Sequence, residues 1–240
     1  MIITDFRIGT ITMLIVAGLS IWDCTSGSAL AAQKATPPSR ADMNRSNEVL
    51  LSAASPFEDL TENALAGNKK GMQSAIKAYD EQAAKVSKVL SPKARHDIES
   101  LVTAIRKSEQ QSDNESVALH SVEAYRTLIE SLDSGSLIVP VQVSLLDYAG
   151  FMLKVFLHAK SPDWSVLRRT AEEARRHWTA IESRVSDKGL CDAVNTTIAG
   201  MNKATTSKNT EMAFFAAQVG LALVDLLEGF FEHIQNKSSR

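Results

Sequence analysis

The sequence predicts an all-α protein, an antiparallel helical bundle, and three observations lead to that prediction. Alanine, leucine, lysine and glutamate are plentiful and only 6% of the 240 residues are aromatic, a composition typical of helical proteins. No stretch shows the period-2 alternation of β-branched and aromatic residues that a strand needs. Capping signals also divide the chain into segments of helical length.

Most predicted helices begin at a recognisable capping sequence. Ser55-Pro56, Ser91-Pro92 and Ser161-Pro162 each place a serine cap before a proline whose missing N–H would have no partner in the first turn. Residues 55–58 and 112–115 have the Ser-x-x-Glu pattern of a capping box. Pro140 opens a further helix. The predicted helices are 43–53, 56–66, 69–89, 92–110, 113–133, 140–159, 162–185, 188–203 and 208–235.

Residues 1–31 have the three parts of a secretory signal peptide. Arg7 lies in the charged start, residues 11–22 form a twelve-residue apolar run, and small residues precede a cleavage site after Ala31. Twelve helical residues span about 18 Å, too short for the roughly 30 Å of hydrocarbon in a bilayer. We therefore expect export, to a bacterial periplasm. Lipid attachment at Cys24 is the alternative, and the bulky and charged residues before it disfavour that reading.

Cleavage after Ala31 leaves a flexible tether at 32–42, which contains paired prolines, and a single α-helical domain at 43–240. Cys191 is then the one cysteine of the mature chain, so an intramolecular disulfide is excluded. We interpret Cys191 as a small buried hydrophobic residue rather than a nucleophile.

The domain has the pattern of two similar helical halves, 55–133 and 161–232, around a central helix at 140–159. Ser91-Pro92-Lys93 with Asp97 matches Ser186-Asp187-Lys188 with Asp192 at an offset of 95 residues, and the following helices match at an offset of 98. The alternative is that any two amphipathic helices align this well after a little sliding.

Two predicted helices, at 139–158 and 212–231, are apolar enough to resemble membrane spans. Asp147 and Lys154 in the first, and Asp225 and Glu228 in the second, are costly at the centre of a membrane. We therefore expect core helices of a bundle and no membrane span in the mature chain. The side chains expected to be largely buried are Phe151, Val155, Phe215, Leu223, Leu226, Leu227 and Phe230.

Polar residues recur at helical spacing on three helices and have two interpretations. They are solvated faces, or they turn inward and form a site between helices, as metal sites in bundles do. In the second case the metal ligands would be His120, Glu123, Asp147 and Asp225. A buried ion-pair network, in which Arg126 and Lys154 supply the positive charge, is the structural alternative. No motif requires a cofactor, so the cofactor is unknown, with a divalent metal or a non-covalent haem left open.

Composition and motifs favour a non-catalytic protein. Without residues 1–31 the chain has 25 basic and 26 acidic residues, and it lacks the basic patch of a nucleic-acid-binding protein. Gly-x-Ser-x-Gly, a phosphate-binding glycine loop and His-Glu-x-x-His are all absent. The sequence predicts an exported helical-bundle protein that binds a small ligand, a metal or another protein, and the alternative is a metal or haem carrier.

Overall fold

The computed structural model describes residues 39–238, with side chains as far as Ile234, and this part of the chain is helical without strands. Residues 1–38, which include the predicted signal peptide and most of the predicted tether, lie outside the described residues. The all-α prediction is confirmed. The α-helices are α1 Arg40–Leu65, α2 Lys69–Asp80, α3 Ala83–Val89, α4 Pro92–Gln110, α5 Asn114–Ile129, α6 Val141–His158, α7 Trp164–Ile181, α8 Lys188–Thr206 and α9 Thr210–Ser238.

Helix α1 joins two segments that the sequence predicted to be separate helices. Pro56 lies inside α1 and is buried, so the predicted helix start at Ser55-Pro56 is wrong. A proline leaves the carbonyl four residues earlier without its helical partner. Here the side-chain amide of Gln82 donates to the Ser52 carbonyl oxygen at 3.1 Å, which replaces the lost bond. At its other end α1 includes residues 40–42, expected in the tether, because Ser39 and Asp42 form a capping box.

Three other boundaries also differ from the prediction. The segment 69–89 forms two helices, α2 and α3, instead of one. Asp113, not Ser112, caps α5, and Asp163, not Ser161, caps α7, because each aspartate accepts a hydrogen bond from a backbone N–H of the first turn. Helix α4 agrees with the sequence, since Ser91 is its N-cap and Pro92 its first residue.

Helix α6 is central because its two faces belong to different hydrophobic cores. One face packs with α1–α5 and contributes Tyr148, Phe151, Met152 and Val155. The other face packs with α7–α9 and contributes Val143, Leu146, Ala149, Leu153 and Leu157. At Gly150, a Cβ atom would lie 2.5 Å from Leu221 Cδ2, so the absence of a side chain there lets α9 approach α6 closely. The fold therefore has a first half, α1–α5, and a second half, α7–α9, on either side of α6.

The expectation that the named apolar side chains of α9 are largely buried is wrong for two of them. Leu227 is only 1% exposed, but Phe215 is 67% and Leu226 59% exposed. Helix α9 packs chiefly against α6 and α8, which cover only part of its circumference. Leu223 and Phe230 are half-buried, whereas Phe151 and Val155 are buried as predicted. Within residues 39–238, Thr210–Ile234 is the one segment long and apolar enough to cross a membrane, a weak indication because a core helix has the same composition.

Candidate functional site: an acidic cavity between the halves

A cavity of about 210 Å³ lies where α1, α5, α6 and α9 meet. Among residues 39–234, its lining includes four carboxylic acids and no lysine, arginine or histidine. The acids are Glu58 from α1, Asp147 from α6, and Asp225 and Glu228 from α9. The remaining lining residues are Leu51, Ala54, Ser55, Tyr125, Ile129, Ser144 and Val224. The cavity therefore combines a cluster of acidic groups with a smaller apolar part of its lining.

The helices bring these acids together for identifiable local reasons. Because α1 continues through Pro56, Glu58 is an interior helical residue rather than the end of a capping box. Asp147 occupies the border between the two apolar faces of α6, between Leu146 of one core and Tyr148 of the other. Asp225 and Glu228 are three residues apart, so they lie on one side of α9.

Burial and mutual repulsion raise the pKa values of Glu58, Asp147 and Glu228. Burial raises the pKa of Glu58 to about 7, an effect that the Tyr125 hydroxyl opposes by hydrogen bonding and Glu228 reinforces by repulsion. Burial also raises the pKa of Asp147 well above its usual range, and repulsion from Glu58 and Glu228 adds to it. The pKa of Glu228 is raised by burial and by its acidic neighbours. All three shifts have the sign expected of carboxylates that lack a compensating cation.

Glu58 and Asp147 interact directly. Their carboxyl groups are close enough to hydrogen-bond when one of them carries a proton, and burial raises the pKa of both. Near neutral pH the two carboxyl groups thus share a proton, as closely placed acids do. The Tyr125 hydroxyl, which also donates to the Ser144 carbonyl oxygen at 3.3 Å, lies beside the pair.

The two cations expected to neutralise a buried acid network are used elsewhere. Arg126 Nε lies 2.7 Å from Glu130 Oε1, and Lys154 Nζ lies 3.2 Å from Glu62 Oε1. Neither forms an ion pair with Asp147 or Asp225 in the described part of the chain. Among the described residues, Arg126 reaches only Glu123 of the predicted acids, and it does so through the Tyr148 hydroxyl.

Of the four predicted ligands, only Asp147 and Asp225 line the cavity. Glu123 accepts a hydrogen bond from the Tyr148 hydroxyl at 3.1 Å, and half-buried His120 lies on α5 outside the lining. Across residues 39–238, no three histidine, cysteine, aspartate or glutamate side chains are placed to hold a metal ion. The structure therefore does not bring the four together, and metal binding stays a prediction.

Sequence reasoning missed Glu58 and weighed Glu228 only as a charge on an apolar helix. Glu58 was assigned to a capping box, and the signal that could have corrected this was the apolar 3.6-residue period that runs unbroken through Pro56. On α9, Glu211, Gln218, Asp225 and Glu232 recur every seven residues and form a stripe that is exposed, in agreement with a solvated face. Asp225 is the member of that stripe that also reaches the cavity.

Cys191 lies apart from the cavity, against the second core. Its thiol donates to the Val185 carbonyl oxygen at 3.2 Å. Partial burial raises the pKa of the thiol, and the carboxylates of Glu182, Asp192 and Asp187 raise it further. A raised pKa leaves little thiolate, so these surroundings oppose nucleophilic chemistry.

No model of a known protein family matches the sequence, and the characterised proteins and solved structures give no significant match to it.

Proposed function

We propose that this chain is an exported, non-catalytic binding protein that takes up a small organic cation, a primary ammonium with a short apolar body, in the acidic cavity. The observation that carries the proposal is the composition of the cavity wall, four carboxylic acids with no basic side chain. Buried charge in proteins is normally paired, and an ammonium group supplies both the missing charge and three hydrogen-bond donors.

The surroundings of Asp147 support this proposal independently of the number of acids. Its side chain is half-buried, and within residues 39–238 no backbone amide or basic side chain donates to it. Within the described residues its hydrogen-bond partners are the neighbouring Glu58 and the Tyr125 hydroxyl, whose single proton Glu58 and the Ser144 carbonyl oxygen also compete for. An ammonium beside Asp147 and Glu58 would replace the shared proton as the compensating charge.

The size and walls of the cavity favour an organic cation over a metal ion. Its volume of about 210 Å³ is several times the roughly 30 Å³ that a water molecule occupies in the liquid. Leu51, Ala54, Ile129 and Val224 offer apolar contact for a short alkyl group. A metal would need several converging ligands, and the described residues do not form such a set.

Binding of an ammonium should release a proton from the pair formed by Glu58 and Asp147. We expect butylamine to bind about tenfold more tightly at pH 8 than at pH 6, because the carboxyl groups must lose their shared proton. Isothermal titration calorimetry, in buffers with different enthalpies of ionisation, measures both the affinity and the number of protons released. Butanol, which has the same alkyl group without the charge, should not bind.

Asp147→Asn should weaken butylamine binding at least about tenfold, because it removes a buried charge partner. Asp59→Asn is the matched control, since Asp59 is the exposed neighbour of Glu58 on α1 and the change in net charge is the same. The proposal is wrong if the wild-type protein does not bind butylamine, or if both variants lose affinity equally.

Elemental analysis and an absorption spectrum of the purified protein test the alternative function, a metal or haem carrier. A metal that is present in the wild type and lost from Asp147→Asn would overturn the proposal of an amine ligand.

A further inference from the structure

A second cavity, of about 240 Å³, lies within the first half between α2, α3 and α4. Its apolar wall consists of Ala83, Val86, Leu90, Ile98 and Val102. Two arginines of α4, Arg95 and Arg106, also line it. They are eleven residues apart, which is three helical turns, so they lie on the same side of the helix and about 16 Å from each other.

Arg95 differs from the other arginine in lacking a partner. Its Nε atom is buried and has no hydrogen-bond partner. Arg95 forms no ion pair within the described part of the chain, whereas Arg106 pairs with Asp80 through Nη2. Buried polar atoms are normally satisfied, and leaving a charged donor unsatisfied is more costly than leaving a neutral one.

From the buried Nε–H of Arg95, which has no hydrogen-bond partner within residues 39–234, and the apolar cavity beside it, we infer that the first half binds a small carboxylate with a short apolar body. The planar guanidinium presents two parallel N–H groups that match the two oxygens of a carboxylate. The apolar wall would contact the remainder of the molecule. This site is separate from the acidic cavity and selects the opposite charge.

The acids near this cavity do not neutralise Arg95. Asp80 is engaged with Arg106. Glu99 follows Arg95 by four residues, but its side chain is exposed and makes no ion pair with Arg95 within 4.0 Å. The positive charge of Arg95 is therefore the one available to a ligand in this cavity.

The volume limits the size of the ligand. Pockets for drug-sized molecules have volumes of about 300–1,000 Å³, and this cavity is smaller. Octanoate is a suitable probe because it combines a carboxylate with an alkyl chain. Octanol tests the need for charge, and inorganic phosphate tests the need for the apolar body.

Calorimetric titration of the full mature protein with these three probes tests the inference. We expect octanoate to bind at least about tenfold more tightly than octanol or phosphate, since only octanoate satisfies both the guanidinium and the apolar wall. Absence of octanoate binding would overturn the inference and would indicate that water alone satisfies Arg95. Equal affinity for octanol and octanoate, or tighter binding of phosphate, would also overturn it.

Two variants and one control separate the contribution of the Arg95 guanidinium to octanoate binding from that of the apolar wall. Arg95→Gln should weaken octanoate binding about tenfold or more, whereas Lys93→Gln should leave it unchanged, because Lys93 lies on the same helix with its side chain 87% exposed. Val102→Phe should also abolish binding by filling the cavity while retaining Arg95. Equal losses in Arg95→Gln and Lys93→Gln would refute a local site. Circular dichroism checks that each variant is folded, and unchanged butylamine binding shows that the two cavities are independent.

Discussion

The hairpins α4–α5 and α8–α9 have matching local structure but different surroundings. Helices α4 and α8 each contain 19 residues, and the starts of α4 and α8, Pro92 and Lys188, are 96 positions apart. The starts of α5 and α9, Asn114 and Thr210, have the same separation. Equal spacing is what an internal duplication would produce, and the duplication itself stays a prediction.

The two connections also match in conformation. Ser112 and Lys208 both have a positive φ, 57° and 55°, and each lies one residue before the N-cap of the next helix. The caps are Asp113, which accepts from the Ser116 N–H, and Asn209, which accepts from the Met212 N–H. The chain reverses direction in the same way at both sites, because left-handed backbone followed by an Asx cap ends one helix and starts another.

The packing of the second helix of each hairpin differs. Helix α5 contacts α1, α4 and α6, whereas α9 contacts chiefly α6 and α8. Consequently α5 is covered on most sides, and α9 leaves Phe215 and Leu226 exposed. The two hairpins therefore share helix spacing and connection geometry, but the number of neighbouring helices decides which of their apolar residues are buried.

The largest expected effect tests the one-sided packing of α9. Leu227→Ala should lower the free energy of unfolding by roughly 2–5 kcal/mol, because it removes buried apolar atoms and leaves a cavity. The adjacent Leu226→Ala should cost less than about 0.5 kcal/mol, since Leu226 is 59% exposed. Urea denaturation measures both. Similar losses for the two variants would mean that α9 is covered on both sides.

The next effect concerns the acidic cavity, where Tyr125 of α5 and Glu228 of α9 meet. The pKa of Glu58 is about 7 in the folded protein, whereas the ordinary value for a glutamate, which applies to the unfolded chain, is about 4.5. Between these values the folded state binds more protons, so the free energy of unfolding should fall as pH rises from 4.5 to 7. The total loss should be on the order of 2–3 kcal/mol.

Glu58→Gln should flatten this pH dependence, whereas Asp59→Asn should retain the wild-type slope. Urea denaturation at pH 5, 6 and 7.5 provides the measurement. Relative to the wild type, the free energy of unfolding of Glu58→Gln should be higher at pH 7.5. This difference should disappear at pH 5, where the Glu58 carboxyl group of the wild type is largely protonated. A wild-type stability that rises over this interval would contradict the electrostatics described for Glu58.

The smallest effect tests the similarity of the two connections. Asp113→Ala and Asn209→Ala should each cost about 1 kcal/mol, because each removes one N-cap hydrogen bond. The two losses should agree within about 0.5 kcal/mol if the connections are equivalent. Thermal denaturation of both variants provides the comparison, and a loss confined to one hairpin would show that tertiary contacts replace the missing cap in the other.

The sequence by itself predicted the helical class, the start and end of α4, and the central position of α6. These depend on local rules, namely propensity, apolar period and capping, which act within a few residues. It also predicted Asp147 and Asp225 as candidate site residues, because acids on apolar helices are conspicuous. The sequence-based prediction failed at Pro56. There Gln82, which lies between α2 and α3, donates the hydrogen bond to the Ser52 carbonyl oxygen that Pro56 cannot donate, and α1 continues.

Only the tertiary structure decided which polar residues meet. Glu58 joins Asp147 and Glu228 because α1 and α9 both pack beside α6, whereas His120 and Glu123 lie on α5 outside the lining of the cavity. The unpartnered Nε of Arg95 likewise depends on where α2 and α3 pack against α4. Helical periodicity specifies the face on which a residue lies. The neighbour that this face meets depends on packing between segments far apart in the chain, and that packing determines burial, pKa and the cavities.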